Sequence, residues 1–412
     1  MKIKKMIKND KYKTLIFMIA NCLSFLFAFI INVLLTNISS NPDLYGQYKY
    51  STNFILTLPS LFSMGITWSC ASLLAKDDFE SKNSMITASL VFTTIIGLIV
   101  SFGIILIYGI SCFFGKSIFH NVLILVPFIN VFFLQKLINQ IYMGQGESFK
   151  LSLYSIFPNF IIFICFAICF ILNLDVSLNF CILVYLFSFT LSIVPKLLSI
   201  KYNFQNFKSV SKLLLSDVKE SGFKVHISTV FTTTASQVIA LVCGNIYGFE
   251  EYGYYSLAVS LAVVFQIIGN SLSTVNFKKY ANENRIRKMD FIFMVAMSGL
   301  AYLAMILLID KVFFWFYPSA YAPAIKYLKI SSLSYLIYGF AGIFNRFFIG
   351  KNLGKIVLYN SIFTAIASII ISIPLIWKFE LTGLIWSSVI VSVLSLMAYI
   401  ISYNIYLKRR AY

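Results

Sequence analysis

Twelve stretches of about 19 or more apolar, nearly uncharged residues run along the chain, and the charges gather in the short segments between them. In the first half they cover residues 14–36, 51–75, 84–110, 121–142, 151–174 and 176–195. The second half supplies 225–249, 252–277, 291–309, 327–349, 356–377 and 381–407. At a helical rise of about 1.5 Å per residue, about 20 residues cross a hydrocarbon core about 30 Å thick, so each run is long enough to span a bilayer. Helices are required, because lipid offers backbone groups no partner and the runs are too long and unalternating for barrel strands. The pattern predicts an all-α integral membrane protein with twelve transmembrane helices. Composition agrees: of 412 residues, 59% are hydrophobic and only 12% charged, at a mean hydropathy of +0.85. Soluble chains do not look like this.

The net charge of +18 sits in clusters between apolar runs, which excludes a nucleic-acid-binding reading. With both termini on one side, that side collects 27 Lys and Arg against nine acids, and the other side six against six. The whole excess therefore falls on one face, which the positive-inside bias makes cytoplasmic; anionic headgroups reinforce it. The basic start from Lys2 to Lys13 imitates a signal peptide, but the 23 apolar residues after it exceed a signal core, so an uncleaved first span is expected. Seven Cys show no metal-ligand spacing and read as small apolar fillers; no metal and no cofactor are expected.

Internal repetition divides the chain. Asp43-Leu44-Tyr45-Gly46-Gln47-Tyr48 follows span one, and Glu250-Glu251-Tyr252-Gly253-Tyr254-Tyr255 follows span seven, 207 residues later. Asn139-Gln140-Ile141-Tyr142-Met143-Gly144 returns 206 residues on as Asn345-Arg346-Phe347-Phe348-Ile349-Gly350. Lys150 with Leu153-Tyr154 returns after 205 as Lys355 with Leu358-Tyr359. The offsets predict two six-helix lobes, residues 1–205 and 206–412, joined by a cytoplasmic linker at 196–224. Six spans is an even number, so the lobes are parallel and their pseudo-twofold axis lies along the membrane normal. Within the linker, residues 211–222 predict a short interfacial helix with Leu213, Leu214 and Val218 on one side and Lys212 and Lys219 on the other.

The twelve spans, the Asp-x-Tyr-Gly-x-Tyr turn and its copy, the segment from Phe316 to Ala324, and Gly350-Lys351-Asn352-Leu353-Gly354-Lys355 together resemble the polysaccharide-transport branch of the multidrug/oligosaccharidyl-lipid/polysaccharide exporter superfamily, which includes the O-antigen and capsule flippases called Wzx. The chain departs from that pattern at Lys224-Val225-His226, where such proteins often carry a proline. The resemblance implies a flippase that moves undecaprenyl-pyrophosphate-linked oligosaccharide repeat units from the cytoplasmic to the outer leaflet of a bacterial inner membrane. Its implied partners are the lipid-linked oligosaccharide, membrane lipid, and a glycan polymerase and chain-length regulator.

Intramembrane charges mark the first places for a polar path, since each costs roughly 2.5 to 3.5 kcal/mol at the bilayer centre. Lys136 lies six residues inside the cytoplasmic end of span four and shares a face with Asn139 and Gln140. In the repeat, Asn345 matches Asn139 and Arg346 matches Gln140. Two readings stand: Lys136 and Arg346 hold the pyrophosphate, or both snorkel to the interface and anchor their helices. Lys326, Lys329 and Lys49, near the outer ends of their spans, either receive the headgroup in the outward-open state or reach water as interfacial lysines. For the sugar, Asn21, Asn32, Asn53, Asn130, Gln237, Asn245, Gln266 and Asn270 offer neutral amides, which otherwise serve as helix-to-helix glue. His120 and His226 stand at span ends and read as solvated or interfacial. Asp310 and Lys311 read as a solvated span end.

No Asp or Glu lies inside the spans, which disfavours the alternative of a cation-coupled multidrug exporter. A cargo with about two negative charges would gain about 4.6 kcal/mol from an inside-negative potential of 100 mV. A membrane glycan polymerase is a second alternative, disfavoured because every outer loop is short and none contains Arg. Without a nucleotide-binding glycine loop there is no ATPase signature. Pro59, Pro127, Pro158, Pro195 and Pro374 are placed to bend or end helices.

Overall fold

The structure is a computed structural model that describes residues 10–74, 81–113, 120–275, 285–286, 288–351 and 353–411. The ends of spans two and eight, at Ala75 and Phe277, lie outside the described residues. Every predicted span falls on helix. Span one is α1 (Asp10–Ser39). Span two is divided between α2 (Pro42–Phe62) and α3 (Ile66–Leu74), and span three is α4 (Lys82–Phe113). A 3₁₀ segment (His120–Phe128) leads into α5 (Ile129–Gly144) to form span four; α6 (Ser148–Ile171) and α7 (Leu178–Ser199) are spans five and six. After the linker helix α8 (Phe207–Asp217), span seven is α9 (Phe223–Thr233), a π-helical turn at Thr234–Val238, and α10 (Ile239–Tyr247). Spans eight to ten are α11 (Phe249–Val275), α12 (Lys288–Phe316) and α13 (Pro323–Gly350). Spans eleven and twelve form α14 (Gly354–Ala411), broken at Glu380, whose φ of 55° is not helical. No strand occurs among the described residues. This is a multi-pass membrane protein: Ile99, Phe102, Leu300 and Leu307 are more than half exposed on long apolar helices, as lipid-facing side chains must be.

The described chain falls into two compact units. One comprises Met1–Ile38 with Tyr50–Thr233; the other comprises Ser39–Lys49 with Thr234–Tyr412. The first is centred on Cys70, Leu73, Leu74, Met85, Ala88, Leu137, Ile141, Val210 and Leu214. Helix α8 belongs to this core, and its register differs from the sequence expectation. It starts at Phe207 and buries Val210 and Leu214, while Leu213 is exposed. The expected helix at 211–222 gives way at Val218 to a π-helical turn ending at Gly222.

Within the second unit, the repeated tyrosine–glycine turns meet each other. A Cβ on Gly46 would fall inside the van der Waals radius of the Phe249 carbonyl oxygen, and one on Gly253 would lie 2.6 Å from the Pro42 carbonyl. Phe249 stands four residues before Gly253 and Pro42 four before Gly46, so the crossing is reciprocal. Each copy also carries the same internal lock. The Gln47 amide donates to Asp43 at 2.7 Å, and at the equivalent positions the Tyr254 hydroxyl donates to Glu250 at 2.6 Å. Tyr45 and Tyr252, equivalent in the repeat, are both buried. Tyr321 closes the arrangement, packing edge-on to Tyr45 and donating to the Asn41 carbonyl at 3.1 Å.

Candidate functional site: a cation at an interrupted helix

Span two cannot run straight. Pro59 supplies no N–H for the Ile55 carbonyl, and Met64 and Gly65 adopt φ of 51° and 81°, which a right-handed helix does not accommodate. Helices α2 and α3 consequently meet at 68°. The Pro59 carbonyl still accepts from the Ser63 N–H at 3.2 Å, but the helix ends there and leaves the negative end of its dipole inside the unit. Two groups answer it. The Lys136 ammonium, from α5, donates to the Pro59 carbonyl at 3.0 Å and to the Ser60 hydroxyl at 3.5 Å. The His226 ring, from α9, lies close to the Leu61 carbonyl and to the Lys136 ammonium.

The bend is held in place by backbone. A Cβ on Gly65 would lie 2.6 Å from the Gly222 carbonyl carbon and 2.9 Å from the Phe223 nitrogen, so the corner of span two packs directly on the start of span seven. Around it, buried polar atoms lack partners: Ser63 Oγ, Thr67 Oγ1, Asn139 Oδ1, Gln140 Oε1 and His226 Nδ1. Such orphans are rare in folded proteins and mark a place for water or a polar guest.

The sequence predicts a solvated or interfacial His226, and the structure corrects this: the residue is 4% exposed. The bend of span two makes the pocket it fills, and nothing in the local sequence around His226 announces that. The signal for the break itself is Pro59 followed by Ser63-Met64-Gly65 within an apolar run.

The other candidates have their own surroundings. Asn345 donates to the Tyr399 hydroxyl at 2.8 Å, and Arg346 is exposed. Lys49 stands over the Tyr45 ring at 5.5 Å, and Asn53 is half-buried on α2. Gln237 is exposed within the π-helical turn of span seven, and Gln266 is half-buried on α11. Asn270 lies outside the residues whose side chains are described. Lys329 forms an ion pair with Asp310 at 2.8 Å, the acid being 60% exposed. An exposed pair of this kind contributes about 0 to 1 kcal/mol. Asp310→Asn is therefore expected to leave the unfolding midpoint in denaturant within about 1 kcal/mol of wild type.

The polysaccharide biosynthesis protein family matches residues 11–277. The chain belongs to that family. No curated protein matches its sequence. Among solved structures it is similar to an inward-facing multidrug resistance MATE family transporter of the MOP superfamily, at 15% identity and a TM-score of 0.73, covering 93% of this chain and 96% of that one. It is similar also to the lipid II flippase MurJ in an inward closed conformation, at 16% identity and a TM-score of 0.72, covering 95% and 87%. An outward-facing MATE transporter aligns at 15% identity and a TM-score of 0.64, covering 98% of both chains. The family member described here thus has the MOP transporter fold.

Proposed function

We propose that the protein is a flippase that carries undecaprenyl-pyrophosphate-linked oligosaccharide repeat units from the cytoplasmic to the outer leaflet of a bacterial inner membrane, by alternating access, for O-antigen or capsule synthesis. Both termini are cytoplasmic in this reading, which rests on the one-sided basic excess. Family membership supports a role in polysaccharide biosynthesis, and one protein of similar fold is the lipid II flippase MurJ.

The observation that carries the reading is the Lys136 ammonium held against the carbonyl end of an interrupted helix. A carbonyl is a neutral acceptor, whereas a phosphate oxygen is charged and adds ion-pair attraction to the hydrogen bond it accepts from an ammonium. An arriving pyrophosphate therefore draws Lys136 away from Pro59, and the orphaned amide oxygens of Asn139 and Gln140, a turn away, accept hydrogen bonds from hydroxyls of the first sugar. The reaction moves the cargo and breaks no bond, so no group in the site needs to act as a catalyst.

Lys136→Ala, expressed at wild-type level, is expected to lower flipping at least tenfold, the loss of about 1.5 to 3 kcal/mol for a hydrogen bond to a charged group. Lys136→Arg, which keeps the charge, is expected to recover part of it. The measurement is the leaflet distribution of complete lipid-linked repeat units in cells. Cytoplasmic-leaflet accumulation in Lys136→Ala supports the proposal. Undiminished flipping removes Lys136 from the path, and accumulation of single units already at the outer surface would make the protein a polymerase instead.

A further inference from the structure

Helices α6 and α7 enclose a groove of about 330 Å³ near the chain's basic face, and the flipping pathway proposed above does not use it. Its walls divide by chemistry. Leu153, Phe157 and Pro195 make an apolar strip, and Leu153 and Phe157 are 54% and 45% exposed on the surface that faces lipid. Lys150 and Lys196 stand at the other end. Tyr154 and Ser192 add hydroxyls along the inner wall.

The two lysines are not equivalent. Lys150 pairs with Glu147 at 2.7 Å, one helical turn before it. Lys196 has its ammonium 4.3 Å above the Tyr142 ring, a position that holds a cation without neutralising it. Two cations less one carboxylate leave a single positive charge beside an apolar strip. The fitting occupant is an amphiphile with one negative charge and a hydrocarbon chain. A pyrophosphate, with at least two charges, would be left unbalanced.

We propose that this groove is a binding site for one anionic phospholipid with a phosphodiester headgroup, such as phosphatidylglycerol. The phosphate meets Lys196, and an acyl chain lies along Leu153 and Phe157. The site gives the Lys150/Leu153-Tyr154 repeat a physical meaning in this half of the chain. Lys355, its counterpart, is exposed and lies outside the groove.

The test uses the full chain purified in a neutral detergent, with lipid binding read by native mass spectrometry. Phosphatidylglycerol is expected to bind several-fold more tightly than phosphatidylcholine. Lys196→Gln is expected to reduce that preference roughly fivefold, the effect of one basic residue near an anionic headgroup. Lys355→Gln is expected to leave it unchanged. Leu153→Trp, on the exposed rim, is expected to fill the groove and reduce binding too, which keeps the test open if Lys196→Gln does not fold. Glycerol phosphate without acyl chains should fail to compete. Equal binding of the two phospholipids, or a preference that survives both groove variants, would overturn the proposal. So would competition by glycerol phosphate, or tighter binding of undecaprenyl phosphate through the same lysine. None of these outcomes bears on Lys136, so failure here leaves the flipping proposal standing.

Discussion

Gly46→Ala is expected to lower the unfolding free energy by about 3 kcal/mol or more, at the upper end of what overpacking costs, measured as the unfolding midpoint in SDS from mixed micelles. The added methyl would overlap the Phe249 carbonyl, and both sides of the contact are main chain, so no rotamer change relieves it. Gly253→Ala meets the Pro42 carbonyl at 2.6 Å and is expected to cost a similar amount. The double variant should cost less than the sum, because the first methyl already forces the two turns apart. Gly103, on span three, has nothing within 4 Å of the place a methyl would take, and Gly103→Ala is expected to be neutral or stabilising by up to about 1 kcal/mol through helix propensity. Equal midpoints for Gly46→Ala and Gly103→Ala would show that the crossing carries no packing energy.

The crossing also shows why the paired motifs are legible as a repeat but not as a contact. Two sequences similar at an offset of 207 residues suggest a duplicated turn; they do not say that the copies touch. The reciprocal glycines, the Asp43–Gln47 and Glu250–Tyr254 locks and the buried Tyr45 and Tyr252 explain the acidic, first tyrosine and glycine positions of the pattern once the turns are seen together.

The spans themselves can be read directly, because lipid imposes one solution on any long apolar run. What hydropathy does not encode is direction within a run. Span two is uncharged throughout, yet Met64 takes a left-handed conformation that its residue type does not announce, and the bend there decides where Lys136 and His226 go. Lys136 stands out as a charge in a span. His226 does not, because at a span end a histidine has no reason of its own to be buried. The linker helix shows the same limit: one-sided patterning places apolar residues correctly on a helix, but choosing Leu214 with Val210 over Leu213 needs the shape of the core beneath it.

The bend makes its own prediction. Gly65→Ala must hold an alanine at a φ of 81°, a left-handed conformation that costs about 1 to 2 kcal/mol for a residue with a Cβ, and must also part the main chain of span two from Gly222 and Phe223. Gly146 separates the two effects: its φ is 68°, but nothing lies within 4 Å of its Cβ position, so Gly146→Ala carries the conformational cost alone. Gly65→Ala is expected to exceed it by about 1 to 3 kcal/mol, the overpacking cost, in the same SDS titration. Pushing the corner at Gly65 from the start of α9 also shifts the end of α2, which carries the carbonyls of Pro59 and Leu61, relative to Lys136 and His226. Flipping should therefore fall in Gly65→Ala even in cells grown cold enough to restore its protein level, while Gly146→Ala keeps its activity. Matched flipping in the two variants would mean that the corner of span two supports the fold without positioning the cation.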